Sequence, residues 1–142
     1  MSNDPPSRLV QWLERTQGDH LRVVARYDED GYEWLFRRED VANTYSQDAF
    51  DRTFDNYRWI APIAFDQAEA MEAGSLRANM NVFDQVLVIQ FLEAPERGTI
   101  VSFDADIGDD LVEIVANGLQ LLIGDREADL DAMPEWISRT GE

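Results

Sequence analysis

The chain has 142 residues, 29 carboxylates against 12 positive side chains, a formal net charge of −17 and no cysteine. All the positive side chains are arginine; there is no lysine. That excludes a disulfide framework, a thiolate nucleophile and a zinc–cysteine site, and it sets the chain against duplex DNA and anionic lipid, both polyanions.

In chain order, Pro5-Pro6 opens an amphipathic segment in which Leu9, Val10 and Leu13 recur at helical spacing, with Trp12 alongside. The spacing predicts a helix over 6–17, stopped at Gly18. Residues 21–27 and 32–37 read as strands, and the intervening Asp28-Glu29-Asp30-Gly31 is an acidic hairpin turn. Phe50, Phe54 and Tyr57 then form one helical stripe, capped by Ser46 or Asp48. Pro62 is expected to interrupt this helix, because proline lacks the N–H that a helix interior needs. A second helical piece over 63–73 is expected to end at Gly74.

Three strands follow. Residues 76–82 alternate Leu76, Ala78, Met80 and Val82 against Arg77, Asn79 and Asn81, as an edge strand or one with a wet face does. Residues 85–92 carry the Val86–Ile89 apolar run and read as a buried central strand. Residues 98–103 make the third. Over 109–122, Leu111, Ile114, Val115, Leu119 and Leu122 line one face of a last helix. Gly118 lies on that stripe, where a missing side chain lets a helix approach a sheet. Asp109 and Asp110 suit its N-terminal end.

The order α-β-β-α-β-β-β-α specifies an α+β fold, a five-stranded, mostly antiparallel sheet packed with helices. One domain over 1–124 carries it, followed by an acidic tail, 125–142, with room for a short helix around Trp136. The expected core comprises Val23, Trp34, Phe36, Phe54 and Val86, together with Val88, Phe91, Ile100, Ile114 and Leu122. Trp12 and Trp59 also fall within apolar patterns. Trp136 either docks on the body or anchors a partner.

This element order over residues 6–122 resembles the roadblock family, within the profilin-like and GAF-like group of small sensor and adaptor folds. The stretches Gly18-Asp19-His20-Leu21-Arg22 and Leu35-Phe36-Arg37-Arg38-Glu39-Asp40-Val41 are similar to small haloarchaeal proteins of unknown function. The roadblock resemblance implies a non-catalytic homodimer. In that family the strand after the middle helix pairs with its symmetry mate, and the dimer binds small GTPases or larger scaffolds. Here the matching strand is 76–82, with Arg77, Asn79, Met80 and Asn81 as dimer-edge candidates and Asn79 at its centre.

Residues that could carry chemistry are few. His20, the only histidine, precedes the first strand beside Asp19 and reads as a loop residue before it reads as a general base. Neither Asp28–Gly31 nor Asp104–Asp110 fits the spacing of a calcium loop, so no metal site and no cofactor is expected. Arg37-Arg38 is the one adjacent pair of positive charges. Its forks suit carboxylate or phosphate, although Glu39 and Asp40 stand next to it for local pairing. Phosphate-loop, dinucleotide, nucleophile-elbow and zinc-protease motifs are all absent from the sequence.

The charge describes a solvent. Self-repulsion of this size opposes a compact state, and in molar salt the Debye length falls to about 3 Å and removes most of it. An N-terminus without a basic or a long apolar stretch, and apolar runs far short of the ~18 residues of a membrane span, point to the cytoplasm of a halophile. The leading expectation is a homodimeric adaptor that acts through protein contacts. The rival is a GAF-like sensor that holds a small molecule between sheet and helices, using Trp34 or Arg38. A carboxylate-based hydrolase is the third reading.

Overall fold

The computed structural model describes residues 4–123 and 127–139. Helix α1, Pro5–Gln17, starts where Asp4 accepts a hydrogen bond from the Ser7 N–H at 3.0 Å, satisfying one of the orphan donors at a helix start. It stops at Gly18, whose φ of 52° is costly for a residue with a Cβ. Strands β1 (Leu21–Asp28) and β2 (Gly31–Arg37) form the expected hairpin. The Asp28 carboxylate accepts from the N–H groups of Asp30 and Gly31, so the turn closes on its own side chain.

A short helix α2, Glu39–Thr44, leads into α3, Gln47–Met71. Of the two candidate caps, Ser46 is used: its hydroxyl accepts from the Ala49 N–H at 3.1 Å. The break expected at Pro62 does not occur. Pro62 sits inside one continuous helix that ends at Met71 with Glu72 in the left-handed region, two residues short of the expected end of the second piece. The lost hydrogen bond is tolerated because Pro62 is exposed, so the freed carbonyl one turn back can turn to water.

Strands β3 (Ala78–Val82), β4 (Val86–Ala94) and β5 (Arg97–Asp104) complete a sheet of order β2-β1-β5-β4-β3, antiparallel throughout. The central strand is therefore β5, not 85–92; β4 is buried but stands next to the edge. β3 begins two residues later than expected, which moves its midpoint from Asn79 to Met80. After a 3₁₀ turn over Ala105–Asp110 comes α4, Leu111–Ile123, followed by α5 (Glu127–Ala132) and α6 (Glu135–Arg139). The side chain of Asp109 lies outside the described residues.

Helices cover both faces of the sheet. On the first face, Leu9, Trp12 and Leu13 of α1 and Ile114, Leu119 and Leu122 of α4 pack on Leu87, Ile89, Phe91, Val101 and Phe103. Met133 and Ile137 of the C-terminal segment are buried in the same cluster, and Trp136 packs half-buried against it. Gly118 makes this fit possible. A Cβ there would stand 2.5 Å from the ring of Phe91, which is fully buried.

The second face is covered by α2 and α3, through Val41, Phe50 and Phe54 on Val23, Ala25, Val88 and Ile100. Both faces draw on β1, where a register shift after Leu21 lets Leu21 and Val24 face one side and Val23 and Ala25 the other. Of the expected core, Trp34, Phe36 and Val86 are only half-buried. The first two lie on edge strand β2, which has a neighbour on one side only, and Val86 opens β4. Trp59 was expected in the core and is 76% exposed: it falls on the outer side of α3, opposite Ala61, which is buried.

Candidate functional site

The sheet has two edge strands, β2 and β3, and β3 is the one without a charged side chain. The Leu92 N–H donates to the Arg77 carbonyl (3.0 Å) and the Phe83 N–H to the Val86 carbonyl (2.8 Å). Both pairs continue the register Ala78↔Phe91 to Val82↔Leu87. Hydrogen-bonded pairs alternate along an antiparallel ladder, so Asn79 and Asn81 also bond inward to β4. Ala78, Met80 and Val82 therefore turn their N–H and C=O groups outward. No proline, and no charged side chain within Ala78–Val82, blunts that edge.

Apolar side chains flank the edge on both faces. Ala78 packs on the cluster of α1 and α4, and Met80 and Val82, which share its face by alternation, are exposed. On the other face the Tyr57 hydroxyl donates to Asn81 Oδ1 at 3.2 Å, which places α3 beside the strand. Ile60 stands one turn further along the same side of α3, and Ile60, Trp59 and Ile63 are all exposed. Arg58 reaches back to the carbonyls of Asp28 and Glu29 at the hairpin turn. Past it, residues 59–71 run on for about 20 Å, and Ala61 is the one buried side chain among them.

Of the four edge candidates, Arg77 is drawn off the edge into an ion pair with Asp129 at 3.3 Å. Asn79 faces Gln90 in register and Asn81 holds Tyr57. Met80 stands at the centre of the exposed edge. The structure thus brings together three of the four, and adds Ile60, exposed on the side of α3 next to Tyr57; Trp59 and Ile63 fall on the outer side of that helix.

A second feature lies between α3 and the sheet, a cavity of about 310 Å³. Its floor is Val23, Val88 and Ile100, and its helical wall is Ala49, Phe50, Phe54 and Tyr57. Phe83 and Tyr45 stand at it with exposed rings. Arg22, Thr53, Gln85 and Ser102 are its polar side chains. Trp34 and Arg38, the expected ligand contacts, do not line it. The Trp34 ring meets Phe50 and Phe54 edge-on and lies under the Arg37 guanidinium, 4.5 Å from its centroid, so Arg37 is a cation–π partner and not an anion fork.

Arg38 is the hub of an ionic clasp. It bonds both oxygens of Asp104 (2.9 and 3.2 Å) and both of Asp40 (2.6 and 3.1 Å), and donates to the Asp19 carbonyl. These bonds hold the carboxyls of Asp40 and Asp104 below their ordinary range and push Arg38 further up. His20 lies 3.3 Å from Asp106 and 3.8 Å from Asp104 at the rim of this clasp. Among the described residues, no three of His, Asp and Glu are grouped to hold a metal ion, and no helix is long and apolar enough to cross a membrane.

A family model described as a domain of unknown function, DUF7522, matches residues 7–122. The chain belongs to that family. No curated protein matches it. Among solved structures, this DUF7522 member is similar to one described as "MglB with tetrameric arrangement". The two share 13% identity and a TM-score of 0.51, over 94% of this chain and 96% of that one. At that identity the likeness speaks for the fold, and the fold is the roadblock-like one that the element order implied.

Proposed function

We propose that this chain is a non-catalytic adaptor that works as a homodimer joined along β3, and that it contacts regulatory proteins, a small GTPase among them, in a salt-rich cytoplasm. The observation that carries the reading is the open β3 edge with exposed apolar side chains on both of its faces. Two copies meeting antiparallel about a two-fold axis at Met80 would extend both sheets, and the arrangement closes on itself. Ala78 would face Val82 of the mate, so each outward N–H and C=O would find a partner. Ile60 on α3 would lose water at the same step. The partner class rests on the roadblock resemblance. The solvent rests on the charge of −17 and the resemblance to haloarchaeal proteins.

The register selects the variant for the test. Asn79 bonds inward, so Asn79→Pro would unzip β3 from its own sheet. Met80→Pro removes an outward donor and leaves the chain's own ladder intact, the position where an edge strand tolerates proline. Light scattering in 3 M potassium chloride should give the mass of two chains for the wild type and of one for Met80→Pro, with equal helical circular dichroism. A monomeric wild type in that buffer would overturn the dimer. The partner class is read by affinity isolation from native high-salt lysate; capture of proteins without a nucleotide-binding domain would remove the GTPase.

A further inference from the structure

We propose that the cavity beneath α3 is a binding site for a compact hydrophobic carboxylate. This goes beyond the adaptor reading and stands on separate observations. At about 310 Å³ the cavity sits at the lower end of small-molecule sites and has room for roughly ten to fifteen non-hydrogen atoms. Its floor and one wall come from the strands of the sheet and the N-terminal turns of α3, and Val41, Tyr45, Phe83 and Gln85 from α2 and the connecting turns complete it.

The charge of its lining sets the class of ligand. About one residue in five of the chain is acidic, yet none of the residues lining the cavity is Asp or Glu. An apolar wall excludes carboxylates because burying one costs too much. The same cost should exclude a guanidinium, and Arg22 is there with its side chain 14% exposed. Its partner is Asp104 at 3.5 Å, but that carboxylate already gives both oxygens to Arg38 at shorter range. A planar fork of five donors keeps capacity for a second anion. Ser102, buried in the floor, faces Val23 across the β1–β5 ladder and so stands at the Arg22 end. One cation and one hydroxyl at one end of an apolar chamber read as a carboxylate head and an apolar body.

The same lining disfavours the other occupants. A cationic or polyol ligand would find no carboxylate in the lining to meet it, and a purely apolar ligand would make no use of Arg22 beyond its pairing with Asp104. Peptide backbone would find Thr53, whose hydroxyl is already turned to the Ala49 carbonyl.

The test uses 4-phenylbutyrate and its neutral amide as probes, titrated in 3 M potassium chloride against the Val and Ile methyl signals of the full chain. The expected result is saturable binding of the carboxylate, at least tenfold tighter than the amide, with Val23, Val88 and Ile100 methyls shifted. In Arg22→Gln the carboxylate should fall to the affinity of the amide while the amide is unchanged. Ala49→Phe, which fills the chamber, should abolish both, and it keeps the test decisive if Arg22→Gln fails to fold. Equal affinity of the two probes for the wild type would overturn the proposal. So would no saturable binding of either, or methyl shifts confined to the other face of the sheet.

Discussion

The two faces of the sheet are built to different tolerances. Under α1 and α4 the fit is so close that Gly118 has no room for a Cβ beside Phe91, and a segment from beyond residue 126 is folded in to finish the cluster. Under α3 the packing stops short and leaves a cavity. The outer side of the helix carries Trp59 and Ile63 in solvent. The closed face holds the fold together through contacts that cannot be rearranged cheaply. The open face keeps apolar side chains exposed around a cavity. Function is expected on the open face and stability on the closed one.

Salt acts on both faces alike, through the charge of the whole chain. If the charge is tolerated only when screened, the thermal midpoint should rise by about 10 °C or more between 0.1 M and 3 M potassium chloride, roughly 3 kcal/mol for a domain of this size. A flat curve would remove the halophile reading.

The next two perturbations separate the faces. Leu122→Ala on the closed face should cost about 2–5 kcal/mol in denaturant unfolding, because a rigid neighbourhood leaves the cavity open. A loss below about 1 kcal/mol would show that α4 is peripheral. Adding bulk sharpens the contrast. Gly118→Ala should cost about 1–3 kcal/mol through overpacking, even though alanine favours the helix by about 1 kcal/mol. Ala49→Phe adds far more volume on the open face, where the chamber receives the ring, and should change stability by less than about 1 kcal/mol. Equal costs for the two would mean that the open face is as tightly fitted as the other.

The smallest effect concerns the clasp that ties β5 to the start of α2. Asp104 keeps its charge to lower pH in the folded chain than in the unfolded one, because Arg38 bonds it. The clasp therefore adds stability above the ordinary carboxylate range near 3.8 and loses it as pH falls through the lower folded value. Asp104→Asn should cost about 1 kcal/mol at pH 7, and the gap from wild type should narrow as the pH falls below 4. A gap that stays constant to pH 2 would show that the pair is not the cause.

Local pattern by itself determined the five strands, the first and last long helices, their order and the α+β class; α2 and the covering of both faces were not legible in it. Leu9–Leu13 and Ile114–Leu122 repeat at helical spacing, the runs in 21–37 and 76–103 carry strand residues between turn signals, and Gly18 and Ser46 mark helix ends. Each of these rests on a few neighbouring side chains. Gly118 was legible as well, since a glycine on an apolar stripe has few other reasons. The tertiary structure decided what depends on partners distant in the chain. Pro62 stays helical because it falls on an exposed side of α3, and Trp59 is exposed on the outer side opposite buried Ala61, though its pattern matches that of a buried residue. Trp34 and Phe36 have core composition but lie on a strand with one neighbour. Which backbone groups of β3 point outward follows from its register with β4, so Met80 replaces Asn79 at the centre of the edge. The cavity has no signature in sequence: it is the volume left between two surfaces, and Arg22 acquires its place there only when β1, β5 and α3 meet.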